Sequence, residues 1–203
     1  MFEEEARFGR ISDARSCWAP KGVRPEVEVQ VVREYEYAYG AVSPHDGVLE
    51  TLVLPAVHAE AMGVFLAEVS RRHANEFIVM VLDGAGWHKA KRWHVPENMR
   101  LLPLPPWSPQ LNPAEHLWDE WREKYFANRW FQTMDQLDSQ LVTGLAALEA
   151  DAPRIASLTG FSWITCVPLT EVRHGAVDFN FLSLRTAASI ALAMTVCENR
   201  PVV

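Results

Sequence analysis

Phe77-Ile78-Val79-Met80-Val81-Leu82-Asp83 is six apolar residues in a row followed at once by a carboxylate. An unbroken apolar run of that length, bounded by Asn75-Glu76 before and Asp83-Gly84 after, reads as a strand buried on both faces. In open α/β sheets ligands gather beyond the carboxyl ends of such strands, which is where Asp83 falls. The plainer reading of Asp83-Gly84 is a turn or a helix cap.

The pattern before this strand is different. Phe2, Ala6 and Phe8 alternate with Glu3, Glu5 and Arg7, a period of two that predicts a strand with one buried face and places Glu4 on that face. After a loop marked by Asp13, Pro20, Lys21-Gly22 and Pro25, Val27, Val29 and Val31 open a second strand running to about Ala41. Ser43-Pro44-His45-Asp46-Gly47 is a turn and Val48–Leu54 a third strand, so the first half predicts an antiparallel meander. His58 to His73 carries Ala61, Met62, Phe65, Leu66 and Val69 at helical spacing.

Beyond Asp83 the spacing predicts a short helix from about His88 to Val95 and a strand from Met99 to Leu104. Helices follow from Ala114 to Ala127, opening just after Pro113, and from about Met134 to Ala150. Between them, Pro103 to Pro113 holds five prolines and is stiff. Strands first, then alternating strand and helix, predict an α/β domain: a mixed five-stranded sheet flanked by helices over residues 1–163. Residues 164–203 have no clear period and form a separate tail of uncertain structure.

Composition narrows the function. The 203 residues, 49% hydrophobic, suffice for one sizeable core. Cys17, Cys166 and Cys197 have neither disulfide nor zinc spacing, and His88 and His94 stand too far apart for a usual zinc pair on one helix. Met1 leads into Phe2-Glu3-Glu4-Glu5 rather than a secretory signal, and the longest apolar stretch, Ala187–Cys197, is shorter than the roughly 20 residues of a membrane helix. A cytoplasmic protein with no membrane partner is expected. The net charge of −7 argues against a general basic field for nucleic acid, yet cations cluster at His88, Lys89, Lys91, Arg92 and His94 and again at Arg122, Lys124 and Arg129.

Three carboxylates stand out by position: Glu4 among apolar strand neighbours, Asp83 at a strand end, and Glu115 in the first turn of a helix. Each has an ordinary explanation, for Glu4 a solvated edge and for Glu115 a partner to the helix dipole. If they converge, their mutual repulsion calls for a divalent cation with a taste for oxygen, Mg2+ or Mn2+.

Four motifs bear on the choice. Glu4-Glu5-Ala6-Arg7-Phe8-Gly9, Cys17-Trp18-Ala19-Pro20-Lys21-Gly22, Val81-Leu82-Asp83-Gly84-Ala85-Gly86-Trp87-His88-Lys89 and Leu104-Pro105-Pro106-Trp107-Ser108-Pro109-Gln110-Leu111-Asn112-Pro113-Ala114-Glu115-His116-Leu117-Trp118 occur in this order. Together they resemble the successive motifs of bacterial insertion-sequence transposases of the mariner superfamily, over about residues 2–163. The resemblance implies a ribonuclease-H-like fold and a DDE-type acidic triad, Glu4, Asp83 and Glu115, holding two Mg2+ or Mn2+ ions. Glu4 stands where the family carries Asp. In such a site Asp83 bridges the ions while Glu4 and Glu115 each hold one, and the chemistry is cleavage of transposon ends followed by strand transfer into target DNA.

The resemblance also implies double-stranded DNA as partner, a dimer on that DNA, and a helix-turn-helix region supplied by a separate or frameshift-joined product. His88, Lys89, Lys91 and Arg92 are candidates for phosphate contacts, with a solvated helix face as the alternative. For Trp107 the surrounding prolines favour a structural role, holding the loop that delivers Glu115, over stacking on a frayed base. Two other readings remain open: a truncated, catalytically impaired remnant with the fold and weak DNA binding, and a related nuclease or resolvase without strand transfer.

Overall fold

The computed structural model describes residues 1–84 and 94–165. Five strands form one sheet: β1 (Phe2–Ile11), β2 (Val31–Ser43), β3 (Val48–Leu54), β4 (Ile78–Leu82) and β5 (Met99–Pro103). Their order across the sheet is β3-β2-β1-β4-β5. The first three pair antiparallel, while β4 lies parallel to both β1 and β5. Helices α1 (Ala59–Arg72), α2 (Pro113–Tyr125), α3 (Met134–Glu149), α4 (Ala152–Thr159) and the short α5 (Ser162–Thr165) flank it. The mixed five-stranded sheet expected from the sequence is the one that forms.

The sheet has a core on each face. On one side Tyr39, Ala41, Ile78, Met80 and Leu82 pack under Met62, Phe65, Leu66 and Val69 of α1. On the other, Phe2, Ala6, Phe8, Ala38, Val42 and Val81 pack against α2, α3 and α4. This corrects the expectation that β1 buries one face only. Glu3, paired with Ala41 in the ladder, shares the α1 side and is 1% exposed.

Trp118 and Trp121 of α2 fill the second core, with Phe8 edge-on to both rings. Neither indole N–H has an acceptor among the described residues. Each such omission costs about 1–3 kcal/mol, against roughly 4–6 kcal/mol for burying a ring of this size, so burial wins. Gly40 makes the approach possible, because a Cβ there would lie 2.6 Å from Cζ2 of Trp118. At Gly47, φ is +71° and a Cβ would stand 2.0 Å from the Ala152 carbonyl oxygen, so the β2–β3 turn closes directly onto the start of α4.

Local differences from the sequence expectation have physical causes. Strand β2 begins at Val31 rather than Val27, because β1 ends at Ile11 and the ladder runs out of partner at the Ile11–Val31 pair. Val29 is left exposed. Helix α4 was not anticipated, although Asp151 accepting from the Arg154 N–H, Pro153 in the first turn and Gly160 after the end are ordinary helix punctuation. The helix expected from His88 falls mostly outside the described residues, and His94 and Val95 are not helical. The tail beyond residue 165, with Ala187–Cys197, also lies outside them. Among the described residues no helix is long and apolar enough to cross a membrane.

Gly40→Ala should therefore cost about 1–3 kcal/mol in urea unfolding, since the added methyl meets a ring that is itself packed on all sides. A loss within about 0.5 kcal/mol, the range of an ordinary surface change, would show that Trp118 does not press on β2 as described.

Candidate active site

The site is assembled where β1 begins, β4 ends and α2 starts. Val81 sits opposite Phe2 in the parallel pair, so the exit of β4 at Asp83 lies beside the entry of β1. The Leu104 N–H donates to the Leu82 carbonyl at 2.8 Å, which keeps the chain leaving β5 against the same edge. From there residues 104–112, including a 3-10 turn at Pro109–Leu111, lead into α2.

Asn112 makes the decisive connection. It is 1% exposed. Its side-chain amide donates to the Glu3 carbonyl and to the Glu4 carboxylate, both at 2.8 Å, while its Oδ1 accepts the Ala114 N–H at 3.2 Å as the N-cap of α2. One residue thus bonds β1 and the first turn of α2 together, and the first turn is where Glu115 stands. Asparagine suits the position because it offers two donors to β1 and one acceptor to the helix.

Glu4, Asp83 and Glu115 are consequently electrostatic neighbours. Burial first, then the charges of Glu115, Glu5 and Asp83, push the Glu4 carboxyl up to about 8. Glu115 is raised too, by burial, then by Asp119 and Asp83, with Arg122 acting in the opposite direction. Glu3, on the other face of β1, is held well above the carboxylate range by burial and by Glu5, Glu4 and Asp83. Among the described residues no three acidic, imidazole or thiol groups already converge closely enough to enclose an ion. The arrangement is one of adjacent carboxylates that feel each other's charge, with Glu4 turned onto Asn112.

As a donor set these groups suit a hard divalent cation: all offer carboxylate oxygen, all lie at one sheet edge, and a cation would relieve the repulsion that raises Glu4 and Glu115. A half-buried group of like charges carries a standing cost, which Arg122 offsets in part at Glu115.

The sequence-predicted residues divide into three groups. Glu4, Asp83 and Glu115 lie near enough for their charges to act on one another, without converging on one point among the described residues. His88, Lys89, Lys91 and Arg92 lie outside the described residues. Trp107 is corrected: it is 97% exposed with φ +60° and packs on nothing among the described residues, so it does not brace the loop through them. Its neighbours do that instead, through Ser108 Oγ to the Pro106 carbonyl and the turn bonds of Leu111 and Asn112. Sequence reasoning missed Asn112 and Glu3. The signal for the first was Asn-Pro with Glu115 three residues on, the pattern of a capped helix start; for the second, that three successive strand glutamates cannot all face one side.

Sheet order and the acidic groups define the class, a ribonuclease-H-like α/β domain with its candidate chemistry where β4 ends beside the start of β1. Residues 1–138 match the family model described as DDE superfamily endonuclease, and the chain belongs to that family. Uncharacterized protein y4pE/y4sA of Sinorhizobium fredii (strain NBRC 101917 / NGR234) is 41% identical over 104 residues, 51% of this chain and 77% of its own. The fold matches that of the Mos1 transposase paired-end complex with left transposon end (TM-score 0.50, 16% identity, 78% of this chain and 55% of that one). It also matches the pre-cleavage Mos1 transpososome (TM-score 0.52, 14% identity, 79% and 55%). The Mos1 mariner paired-end complex with Mn gives TM-score 0.51 at 16% identity, covering 78% and 53%. The chain spans about half the length of these solved transposases.

Two outcomes follow from the geometry. Asn112→Ala leaves the Glu3 carbonyl and the Ala114 N–H without their partner and should lower stability by about 2–3 kcal/mol in denaturant titration; a near-neutral result would mean that the clamp is not formed. The second concerns pH. A carboxyl raised in the folded chain binds its proton more tightly there than in the unfolded chain, so its stabilising contribution is complete below the usual 4.5 and is lost as pH rises through about 8. In metal-free buffer the melting temperature should fall from about pH 5 to about pH 9, and Glu4→Gln should flatten the fall. An unchanged slope in that variant would remove Glu4 from the buried cluster.

Proposed function

We propose that this chain is the catalytic domain of a DDE-type insertion-sequence transposase, cutting DNA at transposon ends and joining the freed strand to target DNA. The observation that carries the reading is the junction made by Asn112, which sets Glu4 beside Glu115 at the edge where Asp83 ends β4. Membership of the DDE superfamily endonucleases and a fold shared with Mos1 transposase support it.

Glu4, Asp83 and Glu115 would hold Mg2+ or Mn2+, two ions in this reading, as hard oxygen ligands. Such ions supply Lewis acidity at the phosphorus centre and a water, later a DNA 3′-hydroxyl, activated for in-line attack. The protein's own part is to bring the carboxylates to one edge and keep them there. Asn112 holds the Glu4 carboxylate through a neutral donor, which fixes its position without cancelling its charge. Arg122 offsets part of the charge around Glu115. Nothing in the scheme requires a covalent protein nucleophile. His88, Lys89, Lys91 and Arg92, following Asp83 in sequence, are assigned to phosphates of the bound strand. Recognition of the ends by a separate helix-turn-helix region and pairing of two chains on DNA belong to the same proposal.

A second reading has one observation in its favour. Glu4 carries a methylene more than the family Asp and is turned onto Asn112, and a shift beyond the ~0.5 Å tolerance of a catalytic constellation impairs the chemistry. The chain would then be an impaired relative that keeps the fold and weak DNA binding.

Manganese calorimetry on the parent chain, Asp83→Ala and Glu4→Asp, followed by assay of metal-dependent cleavage and strand transfer on element-end duplexes, separates the readings. The transposase reading expects binding by the parent, its loss in Asp83→Ala, and both tighter binding and faster cleavage in Glu4→Asp. Cleavage only after Glu4→Asp supports the impaired relative. Absence of metal binding in all three withdraws the enzymatic assignment.

A further inference from the structure

We propose that Trp107 is a stacking residue for nucleic acid, its indole taking a DNA base next to the phosphodiester presented to the Glu4, Asp83 and Glu115 edge. The inference rests on the DNA-processing reading above and deepens it by naming a contact to the substrate.

Trp107 belongs to the loop that crosses this edge. One end of the loop is tied to β4 by the Leu104 N–H on the Leu82 carbonyl, one residue before Asp83, and the other to Glu4 by Asn112. With the chain's maximum reach of about 3.6 Å per residue, the Trp107 Cα lies within about 11 Å of the Leu104 Cα. The tryptophan is therefore carried on the short stretch that links the end of β4 to the Asn112 bond with Glu4.

Its conformation has no reward within the described residues. Trp118 and Trp121 are each 1% exposed, whereas Trp107 is 97% exposed and adopts φ +60°, a region that bulky L residues avoid. Such a backbone persists where its surroundings impose it, and functional loops are where it collects. Here Pro105, Pro106 and Pro109 restrict the loop, and Ser108 Oγ bonded to the Pro106 carbonyl at 3.3 Å closes it around the tryptophan. The indole is held outward before any partner arrives, so little further ordering is needed on binding.

The chemistry of the ring selects the partner. An uncharged, flat indole has no means of pairing with a phosphate, but every base offers it a π face, and aromatic stacking is the usual sequence-tolerant contact to unpaired nucleotides. A base at a frayed or extended strand end next to the cleavage edge fits this description. A protein surface, including a second copy of the chain, is the competing occupant.

The test uses the full chain and a duplex with a short 3′ extension carrying 2-aminopurine, with Ca2+ in place of Mg2+ to hold cleavage off. Binding is followed by anisotropy and stacking by 2-aminopurine quenching, for the parent, Trp107→Ala and Trp107→Phe. The parent and Trp107→Phe should quench the base; Trp107→Ala should not, and should bind about tenfold more weakly while melting like the parent. An abasic nucleotide at the same position should weaken the parent about tenfold and Trp107→Ala no further. Equal binding and quenching by parent and Trp107→Ala would overturn the stacking role and leave the DNA reading intact. Additive losses from the abasic nucleotide and Trp107→Ala would show that the indole touches something other than a base. No DNA binding by the parent would remove both.

Discussion

A single buried amide, that of Asn112, determines how the parts of this molecule meet. It donates to a backbone carbonyl and a carboxylate on the central strand and accepts from the first turn of the helix that follows it. Because its bonds to the Glu3 carbonyl and from the Ala114 N–H are buried, they cannot be exchanged for water without leaving polar groups unsatisfied. The helix start is thereby fixed to the strand entry, and every consequence for the acidic edge follows: Glu115 comes within range of Glu4, and the loop before the helix is held across the end of β4.

That geometry is electrostatically unfavourable and is maintained by packing elsewhere. The carboxyls of Glu3, Glu4 and Glu115 are all raised, with burial as the largest cause for each and like charge adding to it. The opposing force is the aromatic core of the α2 side, where Trp118, Trp121, Phe8 and Phe126 pack ring on ring. Burial of that much apolar surface outweighs even the unmet N–H groups of the two indoles. The same helix presents the tryptophans to the core and Glu115 to the edge, so the packing that stabilises the fold also holds the acidic groups at a separation they would not choose. A cation settling among them would gain from repulsion already present. In a DDE superfamily endonuclease this division of labour is a coherent one, with a rigid core at the back of α2 and a charged, strained rim at its front.

The rim is where the chain departs from economical packing. Trp107 stands in solvent in a left-handed conformation, and Asn128, the other residue besides glycine with positive φ among the described residues, anchors a second exposed loop. Asn128 does so through bonds of its N–H to the Asp13 carbonyl and of its Oδ1 from the Arg15 N–H. Asparagine tolerates that backbone and repays it locally with its side chain; tryptophan has no such compensation, which separates a turn former from a residue displayed for a partner.

Element type was legible from the residues alone, because the signals are local. The apolar run Ile78–Leu82, the alternation in Phe2–Phe8 and the spacing of Met62, Phe65, Leu66 and Val69 each specify a buried strand, a half-patterned strand and an amphipathic helix without reference to the rest of the chain. Position made Asp83 and Glu115 legible too, as a strand end and a helix start, and the order of the motifs singled out Glu4. What no local pattern contains is which faces become covered and which distant groups meet. Glu3 reads as solvated until α1 is laid over its side of the sheet, Trp107 reads as a brace until it is found 97% exposed, and Asn112 reads as a loop residue until β1 lies beside it. Burial and hydrogen bonding between residues more than a hundred positions apart arise only when the chain closes on itself. Only tertiary structure could decide whether the three carboxylates were separate surface groups or one edge.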